Sequence, residues 1–121
     1  MKYIVASHGK LASGFQDTVE MLTQYKELYA ICAYCEEEFP ENLYKLIEKF
    51  PEEEIIIFAD VFGGSVCREA LELIQENERI HVVAGINLPL ILEAVMGNAT
   101  EKDLDTLVEK AKEQIVHVKM D

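Results

Sequence analysis

The stretch Glu54-Ile55-Ile56-Ile57-Phe58-Ala59 constrains the fold more than any other. A strand with this run of apolar residues has no polar face, so both of its faces must be covered by other elements. Such a strand belongs in the middle of a parallel sheet with helices on either side. The rest of the chain agrees, because apolar runs alternate with amphipathic segments. Tyr3-Ile4-Val5-Ala6 and residues 28–34 read as strands before it, and residues 80–84 as a strand after it.

Helical spacing fills the gaps. From Leu11 to about Gln24, Phe15, Val19 and Leu22 recur at intervals of four and three. Over residues 41–50, Leu43, Leu46, Ile47 and Phe50 share one helix face, and Pro51 stops the helix. Gly63-Gly64 makes a turn, Ser65 is suited to cap the next helix, and Val66, Ala70, Leu73 and Ile74 form its buried stripe. Asn87-Leu88-Pro89 opens a helix running to about Met96, with proline in the first turn. Thr100 and Asp103 form a near capping box for a last helix carrying Leu104, Leu107, Val108 and Ala111. Residues 115–120 read as a closing strand. The expected fold is α/β: a doubly wound, mainly parallel sheet in order 2-1-3-4, with helices on both faces and right-handed crossovers. A chain of 121 residues suits one domain, residues 1–121.

Charge narrows the partners. With 23 acidic against 11 basic residues the net charge is −12, which opposes binding to phosphate backbones or anionic membranes. Nucleic acid is therefore not an expected partner. No signal peptide and no long apolar segment is evident, so a soluble, cytoplasmic protein is expected. The three cysteines, Cys32, Cys35 and Cys67, do not suggest a disulfide framework. Cys32-Ala-Tyr-Cys35 matches a redox spacing, yet it lies on a strand, whereas redox pairs open a helix that lowers the thiol pKa.

Ligands of open parallel sheets bind beyond the carboxyl ends of the strands, where strand order reverses. His8, Asp60, Gly63-Gly64-Ser65 and Asn87-Leu88-Pro89 all fall at such ends. In order 2-1-3-4, strands one and three are neighbours, so His8 and Asp60 face one crevice. A carboxylate accepting from one ring nitrogen leaves the other unprotonated and nucleophilic. The glycine turn and the start of the Ser65 helix offer amide N–H groups to an anion such as phosphate. Together they point to phosphoryl transfer, with His8 and Asp60 catalytic and Gly63, Gly64 and Ser65 binding phosphate. Each element also has a plainer use, as a polar turn residue, a cap or a glycine turn. His81 and His117 read as structural. No set of zinc ligands, no P-loop and no G-x-G-x-x-G after a strand is present, so no metal or cofactor is expected. A receiver-type signalling domain would need an acidic pair after strand one, and Ser7-His8-Gly9 supplies none.

Ser7-His8-Gly9-Lys10-Leu11-Ala12-Ser13-Gly14, Asp60-Val61-Phe62-Gly63-Gly64-Ser65 and Gly85-Ile86-Asn87-Leu88-Pro89 together resemble the mannose-family IIA domain of the bacterial phosphoenolpyruvate-dependent sugar phosphotransferase system. The resemblance implies a carrier that takes a phosphoryl group from phosphorylated HPr onto His8. It implies transfer onward to a IIB domain serving membrane IIC and IID components. It further implies that Asp60 fixes the ring tautomer, that Gly63, Gly64 and Ser65 cradle phosphate, and that the protein is a homodimer exchanging its C-terminal strand. Val66 and Val61 stand where family loops often carry proline and a hydroxyl residue. Without that proline the loop is less constrained. The same site would also serve a regulatory protein whose phosphorylation on His8 controls partner binding without sugar transport.

Overall fold

The computed structural model describes residues 1–120. Strands β1 (Lys2–His8), β2 (Leu28–Ala33), β3 (Ile55–Ala59) and β4 (Ile80–Ala84) alternate with helices α1 (Leu11–Thr23), α2 (Glu41–Glu48), α3 (Ser65–Glu76) and α4 (Leu88–Met96). A 3₁₀ turn, Glu101–Asp103, leads into α5 (Leu104–Lys112). The strands form a sheet in the order β2-β1-β3-β4, and every pairing is parallel. This is the doubly wound α/β arrangement expected from the alternating pattern.

Every residue of β3 is buried, as a strand without a polar face requires. Its pleat sends Ile56 and Phe58 into one core, with Tyr3, Val5, Ala12, Val19, Leu90, Ile91 and Leu107. Ile55, Ile57 and Ala59 point into the other, with Ile4, Ala6, Leu43, Ile47, Val66 and Ala70. Helices α1, α4 and α5 thus cover one face, and α2 and α3 the other. Each fully buried isoleucine or phenylalanine stabilises the fold by about 1.5–3 kcal/mol relative to exposure. Tyr3 adds a polar tie, since its buried hydroxyl donates to the Ala99 carbonyl at 2.8 Å.

Four local expectations change. In α1 the buried positions are Ala12 and Val19, whereas Leu22 is 55% exposed, so the core stripe lies one residue round from the expected spacing. In α3 it is Cys67, rather than the 37% exposed Ile74, that joins Val66, Ala70 and Leu73 inside. Ser65 is not the N-cap of α3. Gly64 holds that position, and Ser65 is the first helical residue, its hydroxyl engaged elsewhere. Residues 115–120 form no strand within this chain. Alternation alone does not make a strand; a sheet edge must pair with it, and none in this chain does. Ile115, Val116, Val118 and Met120 are each at least 64% exposed. The capping box is as expected, with the Thr100 amide donating to Asp103 at 2.9 Å.

Candidate active site

The turn after β1 is closed by Ser7. Its fully buried hydroxyl accepts from the Ala12 amide at 2.7 Å and donates to the Gly9 carbonyl at 3.2 Å. Gly9 takes φ +62°, which lets the chain reverse into α1. His8, the last residue of β1, is thereby held at the sheet's carboxyl edge with its side chain 44% exposed.

Asp60 follows β3, with its amide tied to the Ala6 carbonyl of β1 at 3.2 Å. Strand pairing therefore brings together two residues that are 52 positions apart. Oδ2 of Asp60 accepts from the His8 amide at 2.9 Å and lies 2.9 Å from ring Nδ1. Oδ1 accepts from the Val61 amide at 3.0 Å. Burial pushes this carboxyl up, but the hydrogen bonds from His8 and Val61 and the attraction of the imidazole outweigh it. The net effect holds Asp60 below the usual carboxylate range, so it is ionised at neutral pH. An ionised carboxylate only accepts, so in the neutral ring Nδ1 carries the proton and Nε2 a free lone pair.

Nε2 faces the turn before α3. Ser65 Oγ lies 3.2 Å from it, and the Tyr34 hydroxyl lies 2.8 Å from Ser65 Oγ. Gly63 takes φ +81°, and a Cβ added to Gly64 would stand 3.3 Å from His8 Cε1. The absence of a side chain on Gly64 lets the turn lie this close without displacing the ring. The first intrahelical bond runs from the Arg68 amide to the Gly64 carbonyl at 3.0 Å. The amides of Ser65, Val66 and Cys67 precede it, so the positive end of the α3 dipole lies beside the imidazole.

All five residues expected at the site thus converge: His8, Asp60, Gly63, Gly64 and Ser65. Asn87 does not join them. It caps α4, accepting from the Leu90 amide at 3.0 Å, and donates to the Ala111 carbonyl at 2.9 Å. Lys10 and Arg68 are exposed. Cys32, Cys35 and Cys67 are free thiols. His81 sits at the other end of the sheet, 2.7 Å from Glu54. Glu101 joins that pair, the three donor atoms lying within 4.8 Å of one another, a grouping that residue spacing did not reveal. Tyr34 was missed. The available signal was its place at the end of the second apolar run, the same edge on which His8 stands.

A doubly wound sheet with a carboxylate-oriented imidazole at its switch point, facing a glycine turn and a helix start, defines a class of protein. The family model described as "EIIA-man: PTS system fructose IIA component" matches residues 2–112, and the chain belongs to this family. It is 33% identical over 95 residues to the sorbose-specific EIIA component of Klebsiella pneumoniae, covering 76% of this chain and 70% of that protein. It is 27% identical over 118 residues to the mannose-specific EIIAB component of Escherichia coli K12, covering 91% of this chain. The match spans only 36% of that longer protein. A crystal structure of a Klebsiella pneumoniae protein assigned to a phosphoenolpyruvate-dependent sugar phosphotransferase system superposes with a TM-score of 0.87 at 32% identity, covering 96% of this chain and 89% of that one. The mannose/sorbose-specific IIA subunit of Enterococcus faecalis shares the fold, with a TM-score of 0.84 at 21% identity over 99% of this chain and 96% of that one. Among the described residues no helix is long and apolar enough to cross a membrane.

Proposed function

We propose that this chain is a single-domain, cytoplasmic phosphohistidine carrier of a sugar phosphotransferase system. It accepts a phosphoryl group from phosphorylated HPr on His8 and passes it to a IIB domain that serves membrane IIC and IID components. Membership of the EIIA-man family supports the general role. The observation that carries the specific one is Asp60 Oδ2 bound to His8 at both amide and Nδ1, which turns the Nε2 lone pair toward the Ser65 hydroxyl at 3.2 Å.

In this reading the Nε2 lone pair attacks phosphorus as the N–P bond of the donor phosphohistidine breaks. The donor imidazole leaves with the electron pair of that bond. The proton on Nδ1 stays in place, so positive charge builds on the ring and the Asp60 carboxylate stabilises it. The Gly63-Gly64-Ser65 turn receives the phosphoryl oxygens at the helix start through the Gly63 and Ser65 amides and the Ser65 hydroxyl, the Gly64 amide being engaged by the Val61 carbonyl at 3.4 Å. No bound metal is required, because transfer between two imidazoles is nearly balanced and needs positioning and charge stabilisation. Incubation with phosphorylated HPr, followed by intact mass and peptide mapping, should give one acid-labile phosphate on His8. Stable absence of that adduct would overturn the reading.

The same reading makes the protein a homodimer that exchanges residues 115–120. The outer edge of β4 has no strand beside it in this chain, and Ile74, Val82, Leu104 and Val108 line the groove along it. The exposed apolar tail has the length and alternation to pair with that edge in a second copy.

A further inference from the structure

Tyr34 stands one residue beyond β2, at the strand end beside His8. Its φ of +64° lies in the left-handed region, which a bulky side chain adopts only under constraint. That backbone carries the phenol over the site. Its ring centroid is 5.8 Å from that of His8, and Phe39 packs edge-on against it at 5.6 Å.

The direction of the hydrogen bonds follows from donor counting. Nδ1 donates its N–H to Asp60 as a hydrogen bond, so Nε2 can only accept, and the Ser65 hydroxyl must donate to it. Ser65 Oγ then accepts from the Tyr34 hydroxyl at 2.8 Å. The chain runs from Tyr34 O–H to Ser65 Oγ, and from Ser65 O–H to Nε2. This arrangement poses a problem for catalysis, because the Nε2 lone pair cannot attack while a hydroxyl occupies it.

We infer that Tyr34 is a positioning residue for phosphoryl transfer and acts through Ser65. The inference rests on the phosphohistidine reading above. The phenol holds Ser65 Oγ beside the nucleophile while the serine O–H swings from Nε2 to an incoming phosphoryl oxygen. No proton travels along the chain; only the hydroxyl direction changes as the new N–P bond forms and the donor's N–P bond breaks.

Tyr34→Phe removes one oxygen and keeps the ring. Single-turnover transfer from phosphorylated HPr should slow about tenfold, with the donor concentration at half-saturation little changed. In a Ser65→Ala background the same substitution should add nothing, because its route is already cut. The ¹⁵N resonance of His8 Nε2 in the free protein should also move in Tyr34→Phe. A wild-type rate in Tyr34→Phe, full additivity with Ser65→Ala, or an unmoved Nε2 resonance would each overturn the inference and leave the carrier reading intact. A wild-type protein that takes no phosphoryl group on His8 would overturn both.

Discussion

Oδ2 of Asp60 lies 2.9 Å from both the backbone nitrogen and the ring Nδ1 of His8. One oxygen therefore ties the imidazole to its own main chain. The ring's orientation and its tautomer are set before any partner arrives, and little reorganisation is left for the reacting step.

Replacing the imidazole tests the centre directly. His8→Ala should fold and accept no phosphoryl group from phosphorylated HPr, read as an unchanged intact mass. The half-exposed side chain explains why folding is spared. An acid-labile adduct on the variant would move the nucleophile elsewhere.

Asp60→Ala should slow phosphoryl transfer about 100-fold or more, since the ring then loses its fixed tautomer and its charge partner. It should also lower stability at neutral pH by about 1–3 kcal/mol. The folded carboxyl titrates below its ordinary value of 3.8. Its contribution is therefore fully present above that pH, and it is lost as pH falls through the lower folded value. Denaturation midpoints of wild type and variant should converge in that acid window; a gap that persists there would show that ionisation is not the cause.

The two glycines of the turn should respond differently. Gly64 has an ordinary φ of −76°, but an added Cβ would press on His8 Cε1 at 3.3 Å. Gly64→Ala should keep its thermal midpoint and lose transfer rate several-fold. Gly63 has φ +81° with nothing within 4 Å of an added Cβ. Gly63→Ala should cost about 1–2 kcal/mol of stability through backbone strain. Equal behaviour of the two variants in melting and transfer assays would refute the distinction.

Sedimentation tests the tail. The full chain should run as a dimer and a chain truncated after Gln114 as a monomer, because the apolar residues proposed to pair with the β4 edge are gone. A truncated chain that remains dimeric rules out exchange as the source of the interface.

Away from the site, Tyr3→Phe removes the hydroxyl that the Ala99 carbonyl depends on. Urea unfolding should show a loss of about 1–2 kcal/mol with an unchanged slope, and phosphoryl transfer should continue at the wild-type rate.

Strand order and the meeting of His8 with Asp60 were legible in the sequence for a physical reason. The apolar residues of β3 demand a central place, and a parallel sheet then puts successive strand ends on one edge. For Tyr34 only the strand-end position was legible; the left-handed backbone that brings its phenol to Ser65 is not signalled by composition in a tyrosine. Ser65 read as a cap because serine commonly caps. Here the imidazole and the phenol compete for its hydroxyl and win. Leu22 was misplaced because a spacing of three or four locates a stripe only to within a residue on either side. Residues 115–120 carry strand alternation, but they pair with neither open edge of their own sheet, and spacing cannot signal whether an edge is within reach.

His8 ends β1 and Asp60 directly follows β3, the two central strands, which are joined through the Ala6–Ala59 register. The hydrogen bond from the Asp60 amide to the Ala6 carbonyl ties the pair to the end of that central pairing. Heat should therefore silence the imidazole and melt the whole molecule at one temperature, which makes inactivation a gauge of global cooperativity.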